Sequence, residues 1–340
     1  MQNTELHFQR SPVRTLTGAR ILATGSYAPE RVVTNAELRE RYGFDEDWIV
    51  QRTGIQERRF AAPDEATSDL AVNAAKQCIE RSGVDPSEID LVIVATFTPD
   101  VYLPATACLV QEKLGLQCAA MDLQAACSGF VYGLVTAMNF VLGGGARHAL
   151  VIGAEIISRF INPADTGTYP LFGDGAGAAL VGKGSPEQGF LSYTMGSDGS
   201  GSGLITLPLG GSRTQVTAAD VSDRKHCLFM NGRPVFKWAI RLVNDTVNDV
   251  VAHAGLEIND IKTFIAHQAN TRILDSAIDQ LGIDREKVFM NLCRYGNTSA
   301  ASVPLALDEA HTAGRFGPGD LVLLSGFGAG LAWATGVFRW

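Results

Sequence analysis

In the stretch MDLQAACSGF, residues 121–130, a single cysteine, Cys127, stands among side chains too small to pack around it. It follows a short apolar run and precedes Ser128, Gly129 and the start of a helical pattern, which puts the thiol at a strand-to-helix turn. By residue type alone a free cysteine is more often an inert core residue than a reagent. Two features point the other way. Exposed N–H groups and the dipole at a helix start favour the thiolate and lower its pKa, and Ala125, Ala126 and Gly129 leave room for a substrate beside the sulfur. The pattern is that of a reactive thiol whose partners lie elsewhere in the chain.

The elements that must position those partners come in two echoing sets. SGVDPSEIDLVIVATF (82–97) resembles AGLEINDIKTFIAHQA (254–269), with Gly83 matching Gly255 and Ile89 matching Ile261, and HALVIGAE (148–155) echoes DLVLLSGF (320–327). On this register Asn297, in YGNTSAAS, stands 170 residues after Cys127 as its expected counterpart. The first half predicts helices over 67–82, 104–114 and 128–142 and strands over 91–96, 118–124 and 148–154. The second predicts helices over 233–254, 270–281 and 297–313 and strands over 262–266, 287–292 and 320–325. FVYGLVTAMNFV and SAASVPLALDEA are nearly apolar or small all round, as helices buried between two sheets must be. GSDGSGSG (196–203) reads as a flexible loop.

Composition narrows the function classes. A chain of 340 residues, 46% hydrophobic and 19% charged, buries one large core or two moderate ones. The first 20 residues lack the apolar run of a signal peptide, and no apolar stretch approaches a membrane span, so a cytoplasmic protein is expected. Six cysteines without CxxC spacing and six histidines without an HxxxH pair argue for reduced thiols and against a disulfide framework or metal site. A net charge of −8 disfavours general nucleic-acid binding. GDGAGA (173–178) formally fits a dinucleotide fingerprint but lacks the strand–turn–helix and downstream acid.

Five motifs spread over both halves, DWIVQRTGIQERR (47–59), QAACSGF (124–130), FGDGAGAAL (172–180), IAHQANTRI (265–273) and YGNTSAASVP (295–304), resemble the 3-oxoacyl-[acyl-carrier-protein] synthase III family of the thiolase superfamily. The resemblance runs from about residue 17 and implies an α/β, thiolase-like duplicated fold. It would hold two mixed five-stranded sheets with buried central helices, layered αβαβα. Residues 17–185 would form the half carrying the nucleophile, and 186–340 the half carrying His267 and Asn297. It further implies condensation of an acyl-CoA primer with malonyl-acyl carrier protein through an acyl-Cys127 intermediate, releasing CO2 and coenzyme A, in a homodimer needing no cofactor. His267 and Asn297 would stabilise the enolate oxygen that develops on decarboxylation. The glycine-rich loop at Phe327, Gly328, Ala329 and Gly330 would face the acyl oxygen beside Cys127. Taken singly, a histidine after an apolar run suits a core and an asparagine after Gly296 suits a turn; their corresponding places in the repeat remove that isolation.

Related chemistries are separated by what is missing. A biosynthetic thiolase has a second cysteine where GFGAG offers Phe327, so the carbanion must come from decarboxylation. Elongating ketosynthases carry a second histidine where Asn297 stands. Papain-like proteases share the Cys, His, Asn order but neither the local cysteine signature nor the two-half symmetry. A ketosynthase of a secondary-metabolite pathway remains an alternative, and a thiol redox sensor a weaker one, since it has no use for His267 and Asn297.

Substrate contacts follow from the same resemblance. Trp48 and Arg52 match the adenine and phosphate contacts of coenzyme A, with residue types suited to stacking and phosphate pairing. Gln268, Ala269, Asn270, Thr271 and Arg272 fall in the carrier-protein motif. Arg224, Lys225, Arg233, Lys237 and Arg241 add a basic run without an intervening acid, the complement of an acidic carrier. Three positions depart from the family's common pattern: Thr166 where many members place an arginine against the adenine, Leu103 where an aromatic residue shapes the acyl pocket across the dimer, and Ala329 within the glycine triplet. They leave the primer open.

Overall fold

The runs LVIVA, ALVIGA and LVLLSGF are too continuously apolar for half-exposed strands, and residues 91–95, 149–154 and 321–327 are buried throughout. The computed structural model describes residues 10–340. Its strands in chain order are β1 (Val13–Thr17), β2 (Ala19–Tyr27), β3 (Val32–Thr34), β4 (Glu57–Arg59), β5 (Ile89–Ala95), β6 (Ala119–Leu123), β7 (His148–Glu155), β8 (Gly175–Lys183), β9 (Gly189–Ser197), β10 (Ile205–Thr206), β11 (Phe229–Met230), β12 (Thr263–Ala266), β13 (Leu321–Gly328) and β14 (Ala332–Arg339). The helices are α1 (Asn35–Tyr42), α2 (Glu46–Thr53), α3 (Thr67–Ser82), α4 (Thr106–Lys113), α5 (Gly129–Leu142), α6 (Ala218–Ser222), α7 (Gly232–His253), α8 (Thr271–Leu281), α9 (Leu292–Tyr295) and α10 (Ser302–Thr312).

Two five-stranded mixed sheets form, in the orders β2-β8-β7-β5-β6 and β1-β9-β14-β13-β12. β5 runs parallel to β6 and β7, and β12 parallel to β13, while the remaining pairings are antiparallel. α5 and α10 lie between the sheets. Their apolar residues join Ile93, Val151, Ile265 and Leu324 in one core. Outside the first sheet α3 and α4 cover a second core, and outside the second sheet α7 and α8 cover a third. The expected αβαβα layering is the observed one.

Three expectations fail for identifiable reasons. Residues 287–292 form no strand; a single parallel bridge joins Val288 to Phe264. The Gln268 side chain takes the place of a strand partner there, donating to Phe289 O at 3.4 Å and accepting from Asn291 N–H at 3.2 Å, and the chain then turns into α9. The second sheet reaches five strands by adding β1 at its opposite edge. Nor is GSDGSGSG a free loop: Gly196 and Ser197 end β9, and Asp198 and Leu331 exchange backbone hydrogen bonds at 2.8 Å each.

The third concerns the symmetry mate of Cys127. The short 3-10 turns Ala126–Ser128 and Ser299–Ala301 lead into α5 and α10, and each opens on a non-glycine residue with positive φ, Ala126 at 44° and Ser299 at 49°. Aligned on these two positive-φ residues, the turns set Cys127 against Ala300 and not Asn297. Close packing agrees. A Cβ on Gly153 would lie 2.2 Å from Ala300 O, and one on Gly326, its equivalent, 3.2 Å from Cys127 O. Both glycines let a strand press onto the turn below a central helix.

Candidate active site

Cys127 sits on the 3-10 turn between β6 and α5, half-buried. The Ser128 hydroxyl ties the turn by donating to Ala125 O at 2.6 Å. Across from it, the backbone of Gly328 approaches so closely that a Cβ there would stand 2.8 Å from Cys127 Cβ and 2.9 Å from Sγ. This places the end of β13, with Ala329 and Gly330 beyond it, against the nucleophile. The charge state departs from expectation: burial pushes the thiol up to about 12, opposed by the Ser299 hydroxyl and reinforced by Glu155. Crowding by protein outweighs the favourable helix start, so Cys127 rests as a thiol.

His267 follows β12 and is fixed by its N–H donating to Ser325 O at 2.7 Å. Its ring is buried, edge-on to Phe327 with centroids 5.3 Å apart and planes at 78°. Burial pulls its pKa down to about 3, so the imidazole is neutral. The tautomer follows from Ser302 at the head of α10. Ser302 Oγ accepts from Gln268 N–H at 3.3 Å and lies 2.6 Å from His267 Nδ1. Its single proton goes to Nδ1, which leaves the other ring nitrogen, Nε2, as an N–H donor.

Asn297 is clamped by its own backbone. Its N–H donates to Leu171 O at 2.8 Å, and its carbonyl accepts from Gly173 N–H at 3.0 Å. Gly296 before it has φ 66°, and a Cβ there would meet Leu171 O at 2.8 Å. The Asn297 side-chain oxygen accepts from Ser299 N–H at 2.9 Å, which leaves Nδ2 as the free donor.

Cys127, His267 and Asn297 line one cavity of about 810 Å³, together with Phe327, Gly328, Ala329 and Gly330. Trp48, Arg52, Ala269, Asn270 and Arg272 line the same cavity. The Asp45 carboxylate caps α2 by accepting from Trp48 N–H at 3.0 Å. Asn270 Nδ2 donates to Arg52 O at 2.9 Å, tying α2 to the start of α8. Gly54 permits that approach, since a Cβ there would lie 2.0 Å from Thr271 Oγ1. Arg272 is exposed, with its guanidinium 5.7 Å from the Phe236 ring centroid.

Other expected positions fall elsewhere. Gln268 is buried and serves the backbone at 266, 289 and 291, so its side chain does not face a carrier protein. Thr271 is wedged against Gly54. Lys237 is exposed outside the cavity lining. Leu103 is 87% exposed and does not reach the cavity of its own chain. Thr166 is exposed beside Gly167, which does line the cavity. In the basic run, Lys225 pairs with Asp223 at 2.7 Å and Arg241 with Asp245 at 3.6 Å. Ser299, which lines the cavity, Ser302, which meets His267 Nδ1, and Glu155, whose charge acts on the Cys127 thiol, are residues that reading the motifs missed, although both serines lie inside the SAAS stretch already singled out.

Two α/β halves with a thiol, a neutral imidazole and a carboxamide around one cavity define a thiolase-type condensing enzyme. Comparison with known proteins narrows the class. Residues 121–199 match the model for 3-oxoacyl-[acyl-carrier-protein (ACP)] synthase III, and 251–340 the model for its C-terminal part. The beta-ketoacyl-[acyl-carrier-protein] synthase III of Rhodopirellula baltica is 50% identical, over 96% of this chain and 99% of that protein. The corresponding Thermus thermophilus structure superposes with a TM-score of 0.88 at 46% identity, covering 94% of this chain and 99% of that one. A priming beta-ketosynthase from the R1128 polyketide pathway gives 0.88 at 37% identity, covering 98% of both. The chain belongs to the 3-oxoacyl-[acyl-carrier-protein] synthase III family. It is an acyltransferase that initiates fatty acid synthesis by condensing an acyl-CoA with malonyl-acyl carrier protein.

Proposed function

We propose that this condensation runs through an acyl-Cys127 intermediate with His267 and Asn297 serving the malonyl half-reaction. One observation carries the reading: the thiol and two neutral N–H donors line a single cavity whose walls also hold Trp48 and Arg52. In the first step the Cys127 sulfur bonds the acyl carbon and the bond to the coenzyme A sulfur breaks. The backbone of Cys127 and Gly328 surrounds the acyl oxygen. In the second step the malonyl carboxylate leaves as CO2, and the charge developing on the thioester oxygen is met by His267 Nε2–H and Asn297 Nδ2–H. A neutral histidine suits this role, because it donates without requiring a proton to be taken from solvent. The resulting carbanion bonds the acyl carbon, the carbon–sulfur bond to Cys127 breaks, and the departing thiolate takes up one proton from solvent to return as the thiol.

Arg233, Lys237 and Arg241 recur every four residues on α7 and share one helix face. With Arg272 near the cavity mouth, this face is the proposed dock for an acidic carrier protein. Val101, Tyr102 and Leu103 form an exposed apolar triplet, 49%, 84% and 87% exposed, suited to a homodimer contact. The free cysteines fit a cytoplasmic location, and among the described residues no helix is long and apolar enough to cross a membrane. The R1128 likeness keeps a polyketide-priming role as the second reading, to be separated by the primer the enzyme prefers. Intact mass and peptide mapping after incubation with acyl-CoA test the intermediate: a single acyl group on Cys127 is expected, and label on Cys108 or Cys118 instead overturns the assignment.

A further inference from the structure

The acylation step leaves one proton unaccounted for. Cys127 rests as a thiol, and its proton must go somewhere as sulfur bonds carbon. His267 does not hold it, since burial keeps that imidazole neutral down to about 3. Among the described residues Glu155, at the end of β7, is the ionisable group whose charge acts on the Cys127 thiol. It is fully buried, its charge pushes the Cys127 thiol up, and it has no part in the steps above.

Its surroundings are built for a carboxyl that changes charge. Glu155 Oε2 accepts from the Thr96 hydroxyl at 3.1 Å, the Thr98 hydroxyl at 2.5 Å and the N–H groups of Phe97 and Thr98 at 3.2 and 3.1 Å. Among the described residues Oε1 receives a shared 3.3 Å contact from Phe97 N–H and keeps acceptor capacity free. Thr98 is itself held in place, because its hydroxyl oxygen accepts from Ile156 N–H at 2.9 Å.

Ser299 joins this carboxyl to the nucleophile. It is fully buried and lines the cavity with Cys127, and its hydroxyl lowers the pKa of both the thiol and the Glu155 carboxyl. In the resting geometry Ser299 Oγ closes a full hydrogen bond with neither. A buried hydroxyl in that condition is costly. The backbone is costly too: φ at Ser299 is 49°, a conformation that side-chain-bearing residues seldom adopt. The fold therefore holds a serine where a glycine would be more comfortable.

We propose that Ser299 and Glu155 are the proton relay of the acylation half-reaction. As the Cys127 sulfur bonds the acyl carbon, the thiol proton passes to Ser299 Oγ while the Ser299 proton passes to the Glu155 carboxylate. As the carbon–sulfur bond to coenzyme A breaks, the same path runs backwards and the departing thiolate leaves as the thiol. No proton is gained or lost overall. Burial lifts Glu155 to about 8, near the pH at which it must both take and return a proton. In the relay Ser299 exchanges its proton directly with the reacting sulfur and is the catalytic residue; Glu155 acts through it. This relay rests on the acyl-Cys127 reading.

The test separates the two half-reactions in Ser299→Gly, Glu155→Gln and the double variant. Ser299→Gly removes the hydroxyl, keeps the N–H that holds Asn297, and suits the positive φ, so it folds. Rapid-quench mass spectrometry follows Cys127 acylation from acyl-CoA, and CO2 release from malonyl-carrier protein follows decarboxylation. Acylation is expected to fall by about a hundredfold in each single variant, within the range for a lost acid–base group. The double variant should lose little more, because one path is cut twice, while decarboxylation stays at the wild-type rate. Acylation unchanged in Ser299→Gly, or both half-reactions falling together, overturns the relay. Failure of the wild type to acylate Cys127 instead overturns the reading on which the relay rests.

Discussion

Replacing Ser302 by alanine tests how His267 is made a donor. The substitution removes the group 2.6 Å from Nδ1 and leaves both that nitrogen and Gln268 N–H without the shared partner, inside a pocket where His267 is 2% exposed. Two readouts follow. Stability should fall by about 1–3 kcal/mol, the cost of a buried polar group left unsatisfied. The same energy is the bias that holds the proton on Nε2. At 1.36 kcal/mol per decade it corresponds to about a 5- to 150-fold loss in decarboxylation, below the ceiling of about 10²–10³ for losing an oxyanion donor outright. Cys127 acylation, which does not use His267, should be unchanged. CO2 release from malonyl-carrier protein measures the first rate and acyl-enzyme formation by mass the second; Ser302→Cys keeps a weak donor and should recover part of the loss. Equal slowing of both half-reactions would refute the assignment and reduce Ser302 to a packing residue.

Three further outcomes are expected. Arg272→Glu reverses a charge on the proposed docking face, so use of malonyl-carrier protein should weaken far more than use of a small malonyl thioester, and the gap should close as salt rises; identical losses with both donors would remove Arg272 from the dock. Thr166→Arg supplies a guanidinium beside Gly167 on the cavity that Trp48 lines. It should tighten coenzyme A binding by about 0.5–1 kcal/mol, some two- to fivefold by titration calorimetry, and unchanged affinity would mean the adenine lies elsewhere. His267 titrates at about 3 in the fold and 6.5 in an open chain, so the unfolded state binds the extra proton between those values. Its stabilisation is complete above pH 6.5 and is lost as pH falls towards 3, at up to about 1.4 kcal/mol per unit. Glu155, lifted from 4.5 to about 8, acts in the opposite sense, complete below 4.5 and lost as pH rises through 8. Denaturant midpoints from pH 4 to 7 should show a shallower acid fall in His267→Gln, and parallel curves would contradict the burial of a neutral ring.

The layers were legible because periodicity and small-residue helices are properties of the chain alone: FVYGLVTAMNFV and SAASVPLALDEA could only be central. The meeting of Cys127, His267 and Asn297 was legible through local motifs. What escaped depends on neighbours remote in sequence. The repeat register near Asn297 slipped because the turns before α5 and α10 align through Ala126 and Ser299, and positive φ is not written in either residue type. Strand 287–292 failed because one side chain, Gln268, satisfies the backbone a strand would have paired. The thiol's charge was misjudged because a helix start is visible in sequence whereas crowding by Gly328 from β13 is not. Glu155 stayed hidden at the end of an apolar strand, where nothing local distinguishes a solvent-facing acid from one enclosed by Thr96 and Thr98.

The sheet order has a consequence for how the molecule is made. β14 lies between β9 and β13, so the second sheet cannot close until the last strand has been threaded into its centre. Only then is Gly328 pressed onto Cys127, some two hundred residues earlier in the chain. During synthesis, domains otherwise begin to fold from the N-terminal side, and the nucleophile, its helix and its sheet can all form while the opposing loop is still absent. The thiol therefore exists long before it is competent. An emerging chain thus carries Cys127 before Gly328 can stand beside it.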